Sequence, residues 1–156
     1  MAEEKYLTKE GAEELRRELA ELVNVRRPAL AQRLKEAIAQ GDLSENADYH
    51  DAKEQQAFLE GRIRYLESIL RSAIVVDGPA DGPSDVVRIG SQVTIEQKGE
   101  PAETYTLVGA AEANPVEGKI SHESPLGAAL LGRRVGEKVS IDAPVGRLIF
   151  KITAIR

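Results

Sequence analysis

The sequence predicts an α+β protein: an N-terminal antiparallel α-helical coiled-coil hairpin followed by a small sheet-rich domain with one short helix. Three observations point there. Two long segments repeat apolar residues at steps of three and four, the spacing of a coiled-coil seam. A Gly-Pro-rich stretch ends them. Beyond it the pattern shortens to β-type runs between turn residues. The expected division is residues 1–76 for the hairpin with an acidic tip at 41–50, a linker at 77–85, and the second domain at 86–156.

In chain order, helix is expected from about Thr8 to Ile74, broken once near Gly41, with the helical region finished by Val75-Val76. Thr8 is placed to cap the first helix, and acids follow it as the helix dipole favours. Leu15, Leu19 and Leu22 begin one apolar stripe, which resumes after a phase slip as Leu30, Leu34 and Ile38. The second arm reads Tyr49, Ala52, Gln56, Leu59, Ile63, Leu66, Leu70, Ala73. In an antiparallel hairpin, facing residues have position numbers of constant sum. The pairs Leu15/Leu70, Leu19/Leu66 and Leu22/Ile63 share one sum; Leu34/Ala52 and Leu30/Gln56 share another, larger by one. Arms of about 30 residues at ~1.5 Å per residue give a rod of roughly 45 Å. Pro28 removes a mid-helix hydrogen bond, and a kink there explains the slip.

Asp77-Gly78-Pro79-Ala80-Asp81-Gly82-Pro83-Ser84 reads as linker. Strands are expected at 86–89, 92–96, 104–108, 118–121, 138–142 and 147–155. Between the fourth and fifth of these lies a short helix, with Ser124 as N-cap, Pro125 at its first position, Leu126–Leu131 as its body and Gly132 as its stop.

Composition narrows the function. The chain has 156 residues, 30% of them charged and 4% aromatic, which suits long exposed helices better than one thick core. With no Cys, disulfides, thiolate chemistry and Cys-based zinc sites are all excluded. A net charge of −5 argues against tight stand-alone nucleic-acid binding, which needs clustered cations. No apolar run approaches the roughly 20 residues of a membrane span, and the acidic, polar start is unlike a signal peptide, so a cytoplasmic protein with no membrane partner is expected.

The chemistry concentrates in Gly41-Asp42-Leu43-Ser44-Glu45-Asn46-Ala47-Asp48-Tyr49-His50. Asp42 and Glu45 form an Asp-x-x-Glu pattern before a helix, which resembles a capping box and gives both acids a purely structural reading. Against it, Gly41 allows a sharp reversal that turns Asp42 outward, and two carboxylates are suited to a hard divalent cation such as Mg²⁺. They are too few to hold it alone, because Mg²⁺ requires six oxygens; a shared ion is the sensible form. His50 reads as a surface residue, and Arg26, Arg27, Arg62 and Arg64 as flanking charges of the coiled coil.

Val25-Arg26-Arg27-Pro28, the tip run just quoted, Lys53-Glu54-Gln55-Gln56 and Glu60-Gly61-Arg62-Ile63 together resemble the Gre family of bacterial transcript cleavage factors. Ile120-Ser121, Ser124-Pro125-Leu126 and Leu131-Gly132 extend the resemblance to the whole chain. It implies that the second domain is FKBP-like and grips the rim of the secondary channel of RNA polymerase, while the hairpin enters that channel. There the tip acids help hold the second Mg²⁺ of the polymerase active centre, and the polymerase hydrolyses the backtracked 3′ end of its nascent RNA. Carried over, the acidic pair is Asp42 and Glu45, tip support comes from Tyr49 and Lys53, and docking from Ser121, Glu123, Ser124 and Pro125. The implied protein is a monomeric accessory factor, not itself an enzyme, with no stably bound cofactor of its own. Weak basic character beside the tip suits the branch of the family that gives short cleavage products.

Other readings remain at this point. Some relatives of the family occupy the same channel with altered tips and inhibit; the intact acidic pair speaks against that. Prolyl isomerase activity would need an aromatic cradle, and past the linker only Tyr105 and Phe150 are available. A structural coiled coil, with Asp42 and Glu45 as mere caps, is the third.

Overall fold

A computed structural model describes residues 4–42, 45–76 and 85–156. The chain divides into two compact units: Glu13–Ser72, and Met1–Ala12 together with Ala73–Arg156. The elements are β1 (Tyr6–Thr8), α1 (Lys9–Glu21), a π-helical segment (Leu22–Arg26), α2 (Arg27–Ala39), α3 (Ala47–Ser72) and β2 (Ile74–Val76). After them come β3 (Gln92–Gln97), β4 (Glu103–Val108), β5 (Lys119–Ser121), α4 (Pro125–Leu130), β6 (Lys138–Ala143) and β7 (Gly146–Ile155). The expected linker lies almost wholly outside the described residues, as do Leu43 and Ser44 of the tip.

In the helical unit, α2 and α3 pack as an antiparallel hairpin. Its direction is written in cross-helix ion pairs: Arg27 meets Glu60 at 2.8 Å and Arg33 meets Asp51 at 2.5 Å, so rising numbers on one helix face falling numbers on the other. Arg62 forks onto both oxygens of Glu18 at 3.1 and 2.8 Å, and its guanidinium lies 5.4 Å from the ring centre of Tyr65. Arg27 and Arg62, expected as flanking charges, thus serve the hairpin itself. Along α3 Ala52, Ile63 and Leu66 are buried and Tyr49, Gln56 and Leu59 half-buried, as expected; beyond Leu66 the buried residue is Ile69, with Leu70 half-buried beside it.

The phase slip has a definite cause. A π turn takes one residue more than an α turn for the same advance, and Leu22–Arg26 is such a segment. It sits between the pairs of the two registers and absorbs the single residue by which they differ. Pro28 follows directly, where the bonding returns from the π to the α pattern. The expected kink is therefore an inserted residue. Beyond it, the stripe steps from Leu34 to Ala37, 2% exposed, while Ile38 is 49% exposed. The expectation for Ile38 fails because the seam there advances by three residues, not four.

The helical reading of Ile74–Val76 also fails. α3 stops at Ser72, and Ile74-Val75-Val76, a β-branched run, pairs in parallel with Tyr6-Leu7-Thr8. Leu7 between them is fully buried. The β-branched run is the local signal for this strand, but its partner lies far along the chain.

The second unit is built on a five-stranded sheet, ordered β5-β4-β3-β7-β6 and antiparallel except for β4 with β5. Alternate residues of β3, β6 and β7 face one core of Val93, Ile95, Val139, Phe150 and Ile152, completed by Val87, Leu107, Leu130 and Ile155. Phe150 belongs to this core and Tyr105 packs against it, so neither is spare for a proline cradle. Five of six expected strands form. The sixth, Val86–Ile89, is reduced to a bridge between Val86 and Arg134, because the Ser91 hydroxyl accepts the Arg88 N–H at 3.0 Å and turns the chain before Gly90. α4 begins and ends as its sequence predicts: Ser124 Oγ accepts the Gly127 N–H at 3.0 Å, and Gly132 follows with φ 81°.

Candidate functional site at the hairpin tip

α2 ends through Gln40, whose N–H bonds the Ala37 carbonyl at 3.2 Å, and Gly41 follows at φ 117°. That conformation suits glycine, and open space surrounds the position a Cβ would take. The chain reverses, and Asp42 and Glu45 are both exposed. α3 starts at Ala47, and its cap is Asn46: the Asn46 Oδ1 accepts the Tyr49 N–H at 3.0 Å, the bond of an N-cap to the third helical residue. Neither Asp42 nor Glu45 occupies the N-cap position, and Asp48 supplies the first-turn acid.

Asn46 does more. Its Nδ2 donates to the Ala37 carbonyl at 2.6 Å, so one half-buried side chain joins the end of α2 to the start of α3. No role for Asn46 is expected from the sequence, although an Asn one residue before a helical run is a signal for a cap. Tyr49 is half-buried, its ring edge-on to exposed His50 with centres 5.5 Å apart. Lys53 is exposed and reaches Gln56 Oε1 at 3.4 Å, along its own helix.

Two carboxylates beside one turn can offer oxygen ligands to a hard cation, and that donor chemistry fits Mg²⁺ as a partial set. Among the described residues no group of three or more His, Cys, Asp or Glu is gathered that could hold a metal ion.

The expected docking residues share one turn in the other unit. The Ser121 hydroxyl accepts the Glu123 N–H at 2.9 Å. The Ser124 hydroxyl donates to the Ser121 carbonyl at 2.6 Å while capping α4. Glu123 forms an ion pair with Lys5 at 3.7 Å, and beside it the rings of Tyr6 and His122 meet edge-to-face with centres 5.6 Å apart. Exposed Pro125 and Glu123 are the accessible members, whereas Ser124 is half-buried and largely committed to the fold.

A second clasp in this unit escaped sequence reasoning. Glu112 Oε2 accepts the N–H groups of Thr8 at 2.8 Å and Gly109 at 3.2 Å, and its other oxygen takes the Thr8 hydroxyl. Thr8 in turn caps α1, accepting the Gly11 N–H at 3.0 Å. A Cβ on Gly11 would collide with the Glu112 side chain, and one on Gly109 with the Tyr6 carbonyl.

Comparison with known proteins covers the whole chain. Residues 5–75 match the family model for the N-terminal part of GreA/GreB transcription elongation factors, and residues 82–156 match the one for their C-terminal part. Transcription elongation factor GreA of Thermomicrobium roseum is 51% identical over 157 residues, covering all of both chains. GreA of Geobacillus kaustophilus is 48% identical over 159 residues, again covering both completely. Among solved structures, the GreA factor homolog 1 (Gfh1) protein of Thermus thermophilus is 34% identical, with 99% of each chain covered and a TM-score of 0.45.

Proposed function

The chain belongs to the GreA/GreB family of transcription elongation factors, and from that premise we propose that it binds RNA polymerase at the secondary channel and stimulates cleavage of backtracked RNA. The sheet-rich unit docks at the channel rim through the Ser121–Pro125 turn, and the hairpin presents Asp42 and Glu45 to the polymerase active centre. The chemistry belongs to the polymerase; this chain is an accessory factor, acting as a monomer in the cytoplasm.

The observation that carries this reading is the division of labour at the tip: Asn46 caps α3, and the two acids stand exposed beside it. Asp42 and Glu45 are the residues that would complete the shell of a Mg²⁺ ion held mainly by the polymerase. Such an ion, when bound, stabilises developing charge and makes water a better nucleophile. The chain's own contribution is placement. Gly41 permits the reversal, Asn46 fixes it, and the Arg27–Glu60 and Arg33–Asp51 pairs tie the arms that carry it. An inhibitory role is not favoured, since Asp42 and Glu45 are both present and exposed, and relatives 51% and 48% identical over their whole length are named transcription elongation factor GreA.

The test uses halted, backtracked complexes. Replacing Asp42 and Glu45 together by Asn and Gln removes both charges at nearly constant size. Polymerase affinity is expected to persist while stimulated cleavage drops by about 100-fold, the scale for losing transition-state charge stabilisation. Unchanged cleavage would falsify the shared-ion role of these acids.

A further inference from the structure

We propose that Asn46 is a positioning residue for this reaction, a strut that holds the acid-bearing turn between two helix ends and not merely a helix cap. The proposal rests on the polymerase reading above. Its basis is a mismatch between what capping requires and what the site contains. Capping needs one oxygen, and Asp, Ser and Asn supply it about equally well. The Asn46 amide also donates, and that second bond, 2.6 Å to the Ala37 carbonyl, has no capping function for α3. The amide orientation is fixed by its partners, since the Ala37 carbonyl can only accept and the Tyr49 N–H can only donate.

Ala37 is 2% exposed and already receives the Gln40 N–H, so the strut is anchored on the packed end of α2. Asp42 and Glu45 both lie within the segment from Ala37 to Asn46 that this bond closes. Two neighbouring carboxylates repel each other and gain entropy by spreading, whereas a shared ion needs them in one arrangement. Tying the ends of the turn restricts that freedom before any ion is met, which is preorganisation by a supporting side chain.

Two full-length variants separate strut from cap. Asn46→Asp keeps the acceptor for Tyr49 but sets a carboxylate against the Ala37 carbonyl; Asn46→Ser keeps a capping oxygen but is too short to span. Both are expected to retain helicity and polymerase affinity. With either, amide exchange at Gln40 and Gly41 in the free protein should quicken. Stimulated cleavage should fall about tenfold at limiting Mg²⁺, within the range that slight misplacement costs. The Mg²⁺ concentration for half-maximal cleavage should rise. Wild-type exchange and an unchanged Mg²⁺ profile in either variant would show Asn46 to be a cap only. The exchange measurement involves no polymerase. If wild-type protein gives no cleavage, the functional reading fails, and exchange still decides whether the strut exists.

Discussion

Among single residues, Glu112 and Gly127 carry tests of the sheet-rich unit. Glu112→Gln keeps the shape, with the amide oxygen placed to accept the two N–H groups and its NH₂ set against the Thr8 hydroxyl, so what is lost is the charge that strengthens these bonds, about 1 kcal/mol of stability. Denaturant unfolding measures it, and an unchanged midpoint would show the clasp to be ornamental. Gly127→Ala drives a Cβ into the Ser121 backbone carbonyl, so the turn bearing Glu123 and Pro125 must move. Polymerase affinity should weaken with it; full affinity would place docking elsewhere. Two tyrosines offer a spectroscopic check. Tyr105 donates to Glu103 at 2.6 Å and Tyr6 to Glu4 at 2.7 Å, and these bonds to carboxylates raise both phenols above their ordinary value. A group raised in the fold favours folding at lower pH and loses that contribution as pH climbs through its folded value. Phenolate absorbance should therefore appear late for part of the tyrosine signal, and Glu103→Gln should bring Tyr105 back.

Elements divide by how local their causes are. α4 was legible residue by residue, because Ser124, Pro125 and Gly132 are start and stop signals that act within one turn. The seam of α3 was legible as far as Leu66, since a seam residue recurs at about every turn. β1 and β2 were not: each is three residues long and exists through the other. Val86–Ile89 has strand composition, yet one serine hydroxyl bends it away. At the tip, the residue types Asp42 and Glu45 could be picked out by chemistry, but the capping assignment between them and Asn46 needed coordinates. The π segment was visible only as a discontinuity. Deleting Asn24, exposed within it, should let the stretch become ordinary α-helix with the same advance, leaving the facing of all that follows unchanged. The seam of α2 would still meet α3, and the thermal unfolding temperature should change little. A deletion variant that unfolds at markedly lower temperature would overturn the register assignment.

At the scale of the whole molecule, burial is uneven. The sheet-rich unit holds one continuous core. In the hairpin, the larger buried side chains Ile63, Leu66 and Ile69 lie on the second half of α3, and toward the tip burial falls to Ala37 and Ala52. Hydrogen exchange should follow this gradient: slowest in β3 and β7, intermediate around Ile63–Ile69, fastest near residues 37–52. Equal protection along the hairpin would contradict it. No helix among the described residues is long and apolar enough to cross a membrane. The extra residue at Leu22–Arg26 has one more consequence, for anyone recombining these proteins. The surplus there is taken up in the pitch of one turn and not passed on as a rotation, so the parts on either side stay interchangeable. A chimera that takes its tip from a relative with one residue fewer in this segment should still carry the borrowed acids on the same side of the hairpin.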